Sequence, residues 1–150
     1  MTFSDPAARS ASSGRQELIS ALVRVSFATT AALSRVAAEH DLSLTQLRVL
    51  AILRDRRVKM SDLADYLGLD RSTISGLVDR AEKRGLLQRE PNLADGRATD
   101  VFLTAAGLQL ADLGEGKIHH ALSPMTGALT TIEARRLTAL LEHLLTQVKP

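Results

Sequence analysis

The chain has 150 residues, of which 45% are hydrophobic and 24% charged, and its formal net charge is +2. This length and balance predict one soluble globular domain with a sizeable core, and they permit an anionic partner without requiring one. Aromatic residues make up only 3%, which favours helices, and the absence of cysteine excludes disulfides, thiol redox sensing and cysteine-ligated zinc.

The amino-terminal part of the chain predicts a tail followed by two helices. Residues 1–15 are rich in Ser and Ala and lack the apolar core of a signal peptide, so we expect a flexible tail. Between Gln16 and Glu39, apolar residues recur at three- and four-residue steps, which predicts a long amphipathic helix. Ser43 and Gln46 have the spacing of a capping box ahead of a second, largely buried helix. No apolar run approaches the roughly 18 residues of a membrane span, so we expect a cytoplasmic protein without membrane contact.

Two shorter helices with a tight turn at Gly68 come next. The first is predicted over Ser61–Leu67 and the second over Arg71–Arg84, with Asp70 placed to cap the second. Two helices joined by a three- to four-residue turn containing glycine form a helix-turn-helix, whose second helix enters the major groove in DNA-binding proteins. A well-capped surface helix without a DNA contact is the alternative that this pattern alone leaves open.

The first turns of the second helix carry side chains that add nothing to a core. Short hydroxyl groups can reach phosphates or base edges and let a helix lie deep in a groove. An arginine can bind phosphate or guanine through two hydrogen bonds. The candidate DNA-contacting residues of this helix are Arg71, Ser72, Thr73, Ser75 and Arg80.

The segments LLQRE and TDVFL predict two short strands joined by PNLADGRA, in which Asp95 and Gly96 form a turn. A hairpin in this place makes a winged helix, and Arg97 suits the narrow, negative minor groove beside the recognition helix. We expect Asp95 to pair with Arg97 and to fix the direction of its side chain. An ordinary surface hairpin remains the alternative.

Two helices are predicted after the hairpin. Thr104 can cap a fifth helix that continues to about Leu122, and Pro124 is expected to separate it from the last helix. Thr130 and Glu133 form a second capping-box spacing ahead of a stripe of leucines. A monomer would expose this stripe, so we expect a homodimer in which the first, fifth and last helices pack together.

The segments LADYLGLDRSTISGLVDRAEKRGLLQRE and DGRATDVFLTAAG resemble the MarR family of bacterial winged-helix transcription factors. The resemblance extends over nearly the whole chain. It implies a mainly α fold with one small β-hairpin, in a single compact domain. Residues 43–103 would form the winged helix-turn-helix, and residues 16–42 and 104–150 a helical dimerisation region. Members of the family are homodimers, and many repress genes until a small molecule binds.

Carried over residue by residue, the resemblance places Ser72, Thr73, Ser75 and Arg80 in the groove and makes Asp95 and Arg97 the wing pair. The chain departs from the family at two places. Gly76 stands where the family often has a longer, frequently basic residue, which reduces the base contacts expected there. In the wing, Asn92, Leu93 and Gly96 replace a commoner Asp, Pro and Arg, so a more flexible tip with one fewer charge is expected.

Other kinds of chemistry have weaker support. Between Arg71 and Arg97 there are six Lys or Arg against four Asp or Glu, which is a weak basic bias that a dimer would double. The adjacent His119 and His120 point about 100° apart on a helix and cannot chelate one ion together. Solvated or helix-end side chains are therefore the default interpretation of His40, His119, His120 and His143, and no metal or cofactor is expected. No nucleophile elbow or phosphate loop occurs, so catalysis is not expected.

The sequence therefore favours a transcriptional regulator, most simply a repressor, that binds pseudo-palindromic duplex DNA as a homodimer. A helical module that docks a protein partner instead of DNA is the alternative from another class, and a metal-dependent enzyme or sensor is a third. A small-molecule effector is implied only by the resemblance. Its pocket is not specified by the sequence, because Phe27, His40 and Tyr66 could line a cleft or simply pack.

Overall fold

The computed structural model describes residues 6–148 of the chain, with side chains from residue 13 onward. Its elements alternate helices with three short strands in one antiparallel sheet of order β1-β3-β2. The predicted fold class, mainly α with a winged helix-turn-helix, is confirmed. In chain order the elements are α1 (Pro6–Ala38), α2 (Leu44–Leu53), β1 (Val58–Lys59), α3 (Met60–Leu67), α4 (Arg71–Lys83), β2 (Leu87–Pro91), β3 (Thr99–Leu103), α5 (Ala105–Thr126) and α6 (Thr131–Leu145).

The hydrophobic core lies within the winged helix-turn-helix, where α2, α3, α4 and the sheet meet. Helix α2 buries residues on several sides, as its nearly continuous apolar sequence predicts. Helix α4 buries only the stripe that faces α3 and β2, so its polar residues remain on the outer surface. The large side chains with less than 2% of their surface exposed are Val49, Leu53, Leu63, Ile74, Val78, Leu87 and Val101.

Local hydrogen bonds fix the helix ends where the sequence predicts them. Ser43 and Gln46 form both bonds of a capping box, at 3.1 and 2.8 Å. Gly68 adopts a left-handed conformation with φ of 64° and ends α3, a conformation that costs other residues energy. Thr104 caps α5 through the N–H of Gly107, at 3.0 Å.

The sheet contains one strand that the sequence analysis missed. Strand β1 has only two residues, Val58 and Lys59, which pair with Val101 and Asp100 of β3. A two-residue strand shows no alternation of polar and apolar residues, so periodicity could not reveal it. The pairing joins the loop after α2 to the wing, and the wing is therefore part of a sheet rather than a free hairpin.

Helix α1 begins at Pro6, ten residues before the predicted start at Gln16. Proline fits the first position of a helix, because the N–H that it lacks would have no partner there. The predicted tail over residues 1–15 is thus helical from residue 6, and its first five residues lie outside the described residues.

Helix α5 continues past Pro124 to Thr126, so the expectation that this proline separates two helices was wrong. A proline inside a helix leaves the carbonyl four residues earlier without its N–H partner. The side chain of Ser123 donates a hydrogen bond of 2.8 Å to that carbonyl, on His120. The chain turns only at Gly127, before the capping box of Thr130 and Glu133 begins α6.

The end of α1 is held by the end of α4. The guanidinium of Arg84, at the carboxyl end of α4, donates to the carbonyl oxygens of His40 and Asp41, at 3.0 and 2.8 Å. Lys117 of α5 forms an ion pair with Glu39 at the same end of α1. The turn that follows α1 is therefore bound both to the helix-turn-helix and to α5.

Helices α1 and α6 leave much apolar surface uncovered. The segment Ser13–Ala38 is long and apolar enough to cross a membrane by length and composition, although only 6% of its most apolar window is buried. This is weak evidence of a span, because a helix that packs on another protein surface has the same composition. No residue of α6 is buried.

The contact between α5 and the end of α4 leaves no room for a methyl group. A Cβ atom on Gly107 would lie 2.0 Å from the carbonyl oxygen of Leu86, whereas a Cβ on the exposed Gly116 of the same helix would meet nothing within 4 Å. We expect Gly107→Ala to lower the free energy of unfolding by about 2 kcal/mol, because the backbone must shift. Gly116→Ala should raise it by about 0.5–1 kcal/mol through helix propensity. Urea denaturation at one fixed protein concentration tests both, and equal effects of the two variants would contradict the close contact.

Candidate nucleic-acid interface

One carboxylate organises the first turn of α4. Asp70 accepts hydrogen bonds from the backbone N–H of Thr73 at 2.9 Å, from the Thr73 hydroxyl at 2.7 Å and from the Ser72 hydroxyl at 2.6 Å. The hydroxyl bonds, that of Ser72 first, hold the pKa of Asp70 well below its usual range. The first turn is therefore pre-arranged, with both hydroxyls fixed in direction.

These bonds decide what the two hydroxyls can offer to DNA. A hydroxyl has one proton to donate and two lone pairs that accept. Because Ser72 and Thr73 both donate to Asp70, their remaining capacity is to accept, and phosphate oxygens offer no proton. The geometry suits the amino groups of adenine and cytosine, which are the donors in the major groove.

The remaining candidates on α4 differ in exposure. Arg71 and Arg80 are exposed, whereas Ser75 is half-buried and offers less surface. A Cβ atom on Gly76 would lie 3.5 Å from Nη1 of Arg80, which is ordinary contact distance. The Arg80 guanidinium thus covers the place that a longer side chain at position 76 would occupy.

Arg89 of β2 neutralises the acidic side of α4. Its guanidinium binds Glu82 through two hydrogen bonds, at 3.0 and 2.6 Å, and also forms an ion pair with Asp79. The bonds to Glu82, and then those to Asp79, raise the pKa of Arg89. The third acid, Glu90, pairs with Arg57 at 3.0 Å. These three carboxylates are therefore held by cations instead of being left unpaired on the surface.

The wing loop is organised by Asn92 and Asp95. Asn92 Oδ1 accepts from the backbone N–H groups of Ala94 and Asp95, at 3.0 and 2.9 Å. Asp95 Oδ1 accepts from the backbone N–H of Arg97, at 3.1 Å, and no ion pair between the two side chains is formed in this part of the described chain. The expected side-chain pair is therefore replaced by a backbone contact. Asp95 shapes the loop, and the Arg97 side chain is left exposed.

A cleft of about 350 Å³ lies between the wing and the start of α4. Arg71 from the helix and Arg97 from the wing line it together, although 26 positions separate them in the chain. Lys59 of β1 and Ser61 of α3 line the same cleft, and the sequence analysis missed both. The only signal that could have found Lys59 is its place just before the helix-turn-helix, since the strand pairing that brings it there is not visible in the sequence.

The cations of this surface are free of carboxylate partners. Within the side chains described from residue 13 to 148, no ion pair involves Lys59, Arg71, Arg80 or Arg97. Unpaired arginines beside a helix amino terminus can bind phosphates and guanine edges at little desolvation cost. The surface is therefore more basic than the ratio of charged residues in the sequence suggested.

The other candidate residues lie apart from this surface. Tyr66 is exposed and stacks under the Arg56 guanidinium, whose centre lies 5.8 Å from the ring. Phe27 is exposed on α1, and Nε2 of the half-buried His40 has no hydrogen-bond partner. Among the described residues, no group of three or more His, Asp or Glu side chains is arranged to hold a metal ion.

Comparison with known proteins gives a consistent result. The model of the MarR family matches residues 40–98. The transcriptional repressor IacR of Pseudomonas putida is 30% identical over 122 residues, which cover 81% of this chain and 73% of that protein. Two other curated regulators match over shorter segments, and the chain spans 41% and 58% of their lengths.

Solved structures share the fold. The S. aureus MepR–DNA complex superimposes with a TM-score of 0.70 at 21% identity, covering 86% of this chain and 97% of that one. NadR in complex with 4-hydroxyphenylacetate superimposes with a TM-score of 0.73 at 23% identity, covering 85% and 88%.

The Asp70 cap should give a distinctive dependence of stability on pH. Because the pKa of Asp70 is lowered by folding, its stabilisation is complete above about pH 4 and is lost as the pH falls below that value. Asp70→Asn keeps one acceptor but cannot titrate. We expect the parent to be the more stable protein at pH 7 and this advantage to shrink at pH 3, as measured by urea unfolding.

The matched variants for that experiment are Ser72→Ala and Thr73→Val, which remove the two hydroxyl donors and leave the carboxylate in place. In a protein that carries either variant, Asp70→Asn should cost less stability at pH 7 than it costs in the parent, because one of the hydroxyl donors to Asp70 is missing. An advantage of the parent over Asp70→Asn that is equal at pH 7 and pH 3 would contradict the role assigned to this carboxylate.

Proposed function

This chain belongs to the MarR family of transcriptional regulators, and from that premise we propose that it is a ligand-responsive repressor that binds a pseudo-palindromic operator as a homodimer. The observation that supports a DNA-binding surface is the set of exposed arginines without ion pairs among the described side chains, Arg71 and Arg80 on α4 and Arg97 on the wing. The repressor role is supported by the similarity to IacR, which is a repressor by name. Such a protein acts in the cytoplasm, on chromosomal DNA.

In the proposed complex, α4 lies in the major groove and the wing reaches the neighbouring minor groove. Arg71 and Arg80 bind phosphate or guanine, and Ser72 and Thr73 accept hydrogen bonds from base amino groups. Ser75 is half-buried in the protein, so only its exposed part would pack against the wall of the groove. Lys59 and Ser61 add phosphate contacts from the other side of the cleft. MepR, which has the same fold, was solved as a complex with DNA, and this supports DNA as the partner.

The dimer is proposed from the unpacked state of α6. This helix has 15 residues and none is buried, and an isolated helix of that length is only marginally stable in water. A second copy would cover the apolar sides of α1 and α6 together and so stabilise both. A dimer also places two recognition helices on successive turns of one face of the duplex, which a palindromic operator requires. In this arrangement α1, α5 and α6 form the dimerisation region.

For the effector we propose the cleft of about 270 Å³ between α1 and α5. Arg35 and His120 line it beside apolar Ala32 and Val36, and Lys117 lines it already paired with Glu39. The Arg35 guanidinium, which has no ion pair among the described side chains, therefore suits a small molecule with an acidic group and an apolar body. The complex of NadR with 4-hydroxyphenylacetate, an aromatic acid, supports this ligand class. The cleft borders Glu39, at the end of α1 that Arg84 also holds. A ligand there can therefore alter the position of α4.

The recognition helix is tested with Arg80→Ala. We expect this variant to bind its operator about 1–3 kcal/mol more weakly than the parent, because a contact to phosphate or guanine is lost. Arg135→Ala is the matched control, since it removes an exposed arginine from α6, far from the proposed surface. Fluorescence anisotropy at one salt concentration measures both. Equal affinities of Arg80→Ala and the parent would exclude this docking of α4.

The dimer is tested on α6. Leu141 and Leu144 lie on its apolar stripe, so Leu141→Asp with Leu144→Asp should place two unpaired charges in an apolar contact and give monomers or aggregates. Ala139→Asp puts a charge on the opposite face of the same helix, at 100° per residue, and should leave the dimer intact. Sedimentation velocity separates the outcomes. A folded, dimeric double variant would show that α6 is not in the interface.

A further inference from the structure

Leu93, at the outer end of the wing, has 99% of its surface exposed. The next most exposed large hydrophobic side chains in the described part of the chain are Ile132 at 79% and Phe27 at 71%. Single apolar side chains on a surface are ordinary, but they usually rest against their own protein. Leu93 touches almost nothing of its own chain. The loop holds this side chain away from the protein.

The loop that carries Leu93 is internally bonded and does not fold back over it. Asn92 binds the N–H groups of Ala94 and Asp95, and its own Nδ2 donates to Asp100 Oδ1 at 2.8 Å. Asp100 is buried in β3, with 7% of its surface exposed, and anchors the loop to the sheet. The backbone N–H of Asn92 also donates to the carbonyl of Ala98, at 2.9 Å. Leu93 is thus presented in a prearranged position, which lowers the entropy cost of a contact.

The position of Leu93 relative to the cations points to its partner. Asp95 and Arg97 of the same loop line the cleft beside Arg71, so one side of the loop faces the start of the recognition helix. Leu93 belongs to the same loop but does not line that cleft, and its side chain is open to solvent. A polyanion that engages these arginines would meet an apolar side chain at the end of the wing. The sugar walls and base edges of a DNA minor groove provide an apolar surface in that place.

We propose that Leu93 contacts the floor of the minor groove and selects base pairs that lack the 2-amino group of guanine. This inference rests on the proposed DNA-binding function and adds a specificity-determining residue to it. A·T pairs present only acceptors in the minor groove, whereas G·C pairs add the guanine N2 donor at its centre. A leucine over that donor removes it from water without offering an acceptor, which is costly. Leu93 therefore disfavours G·C pairs under the wing.

This selection differs from that of Arg97. An arginine in the minor groove responds to the width and negative potential of the groove, and its contribution falls as salt rises. The contact of Leu93 is apolar and depends little on salt. The two side chains of one wing would therefore be separable by salt titration as well as by base substitution.

The test uses the tightest duplex that the full-length protein selects from a pool of random 30-base-pair sequences. Hydroxyl-radical footprinting locates the minor-groove positions under the wing. A·T pairs at those positions are then replaced by G·C or by inosine·cytosine. The last two pairs are identical in the major groove and differ only by the 2-amino group. Parent, Leu93→Ser, Leu93→Met and Arg97→Ala are compared by anisotropy over a range of salt concentrations.

We expect the parent to bind the G·C duplex about tenfold more weakly than the inosine·cytosine duplex. Leu93→Ser should reduce this ratio to near one and bind the selected duplex about tenfold more weakly, with an unchanged salt slope. Leu93→Met, which keeps an apolar side chain of similar length, should retain the ratio. Arg97→Ala should flatten the salt slope by about one unit and keep the ratio.

A ratio that persists in Leu93→Ser would overturn the proposal, as would a ratio near one in the parent. Failure of the underlying function is distinct, because the pool would then yield no duplex that the parent binds. Leu93 contacts almost nothing within the protein, so the variants should unfold at the parent's temperature. Thermal unfolding checks that any change in DNA affinity arises at the wing.

Discussion

The ion pairs of Arg89 set the relation between the recognition helix and the wing. This one guanidinium reaches from β2 to two carboxylates on α4, and it is partly shielded from solvent. Without it, Asp79 and Glu82 would place two unpaired negative charges on the helix that we propose to enter the DNA groove. With it, the same charges fix α4 against the sheet. Because the acids of α4 are already paired with Arg89, the unpaired charges of this surface are chiefly the exposed arginines. A chain with only a small net positive charge can therefore present a basic surface.

A second set of contacts joins that unit to the rest of the chain. Arg84, one residue after α4, binds the carbonyl groups of His40 and Asp41 in the turn after α1, and Lys117 of α5 binds Glu39 in the same turn. The backbone N–H groups of residues 39–42 satisfy the last carbonyls of α1, so the bonds of Arg84 fix the turn after α1 against the end of α4. A change in the packing of α1 and α5 would reach the recognition helix through these few bonds. They are the contacts through which the proposed effector would change DNA binding.

The comparison of sequence with structure separates local features from distant ones. The caps at Ser43, Asp70, Thr104 and Thr130 were predictable because each depends on residues within three positions. The turn at Gly68 was predictable because few residues other than glycine adopt a positive φ readily. The start of α1 was not predictable, because its first turns show no periodicity. The continuation past Pro124 was not predictable either, because the bond from the Ser123 hydroxyl to the freed carbonyl is visible only in the structure. Both are errors of boundaries rather than of element type.

The site was predictable to the same extent. The sequence places Arg71 to Arg80 on one helix and Arg97 in a wing, because both follow from local patterns. It could not show that Ser72 and Thr73 donate to Asp70, since the direction of a hydroxyl proton depends on three-dimensional geometry. Nor could it show Lys59 beside Arg97, which requires the pairing of β1 with β3 across some forty residues. Strand pairing and the choice of hydrogen-bond partners are the parts that only the folded chain determines.

The close contact at Gly107 fixes the point about which α5 can tilt relative to the winged helix-turn-helix. Its backbone lies directly against the Leu86 carbonyl, at the junction between α4 and β2, and packed protein is nearly incompressible. The part of α5 from Gly107 to Thr126 is roughly 28 Å long, so a tilt of one degree about this contact moves the far end by roughly 0.5 Å. Conversely, a displacement at the far end of α5 would reach the winged helix-turn-helix through the Gly107 contact as a smaller movement with a larger force. Flexible side chains at this contact could change rotamer and so absorb such a motion, whereas a direct contact between two backbones transmits it.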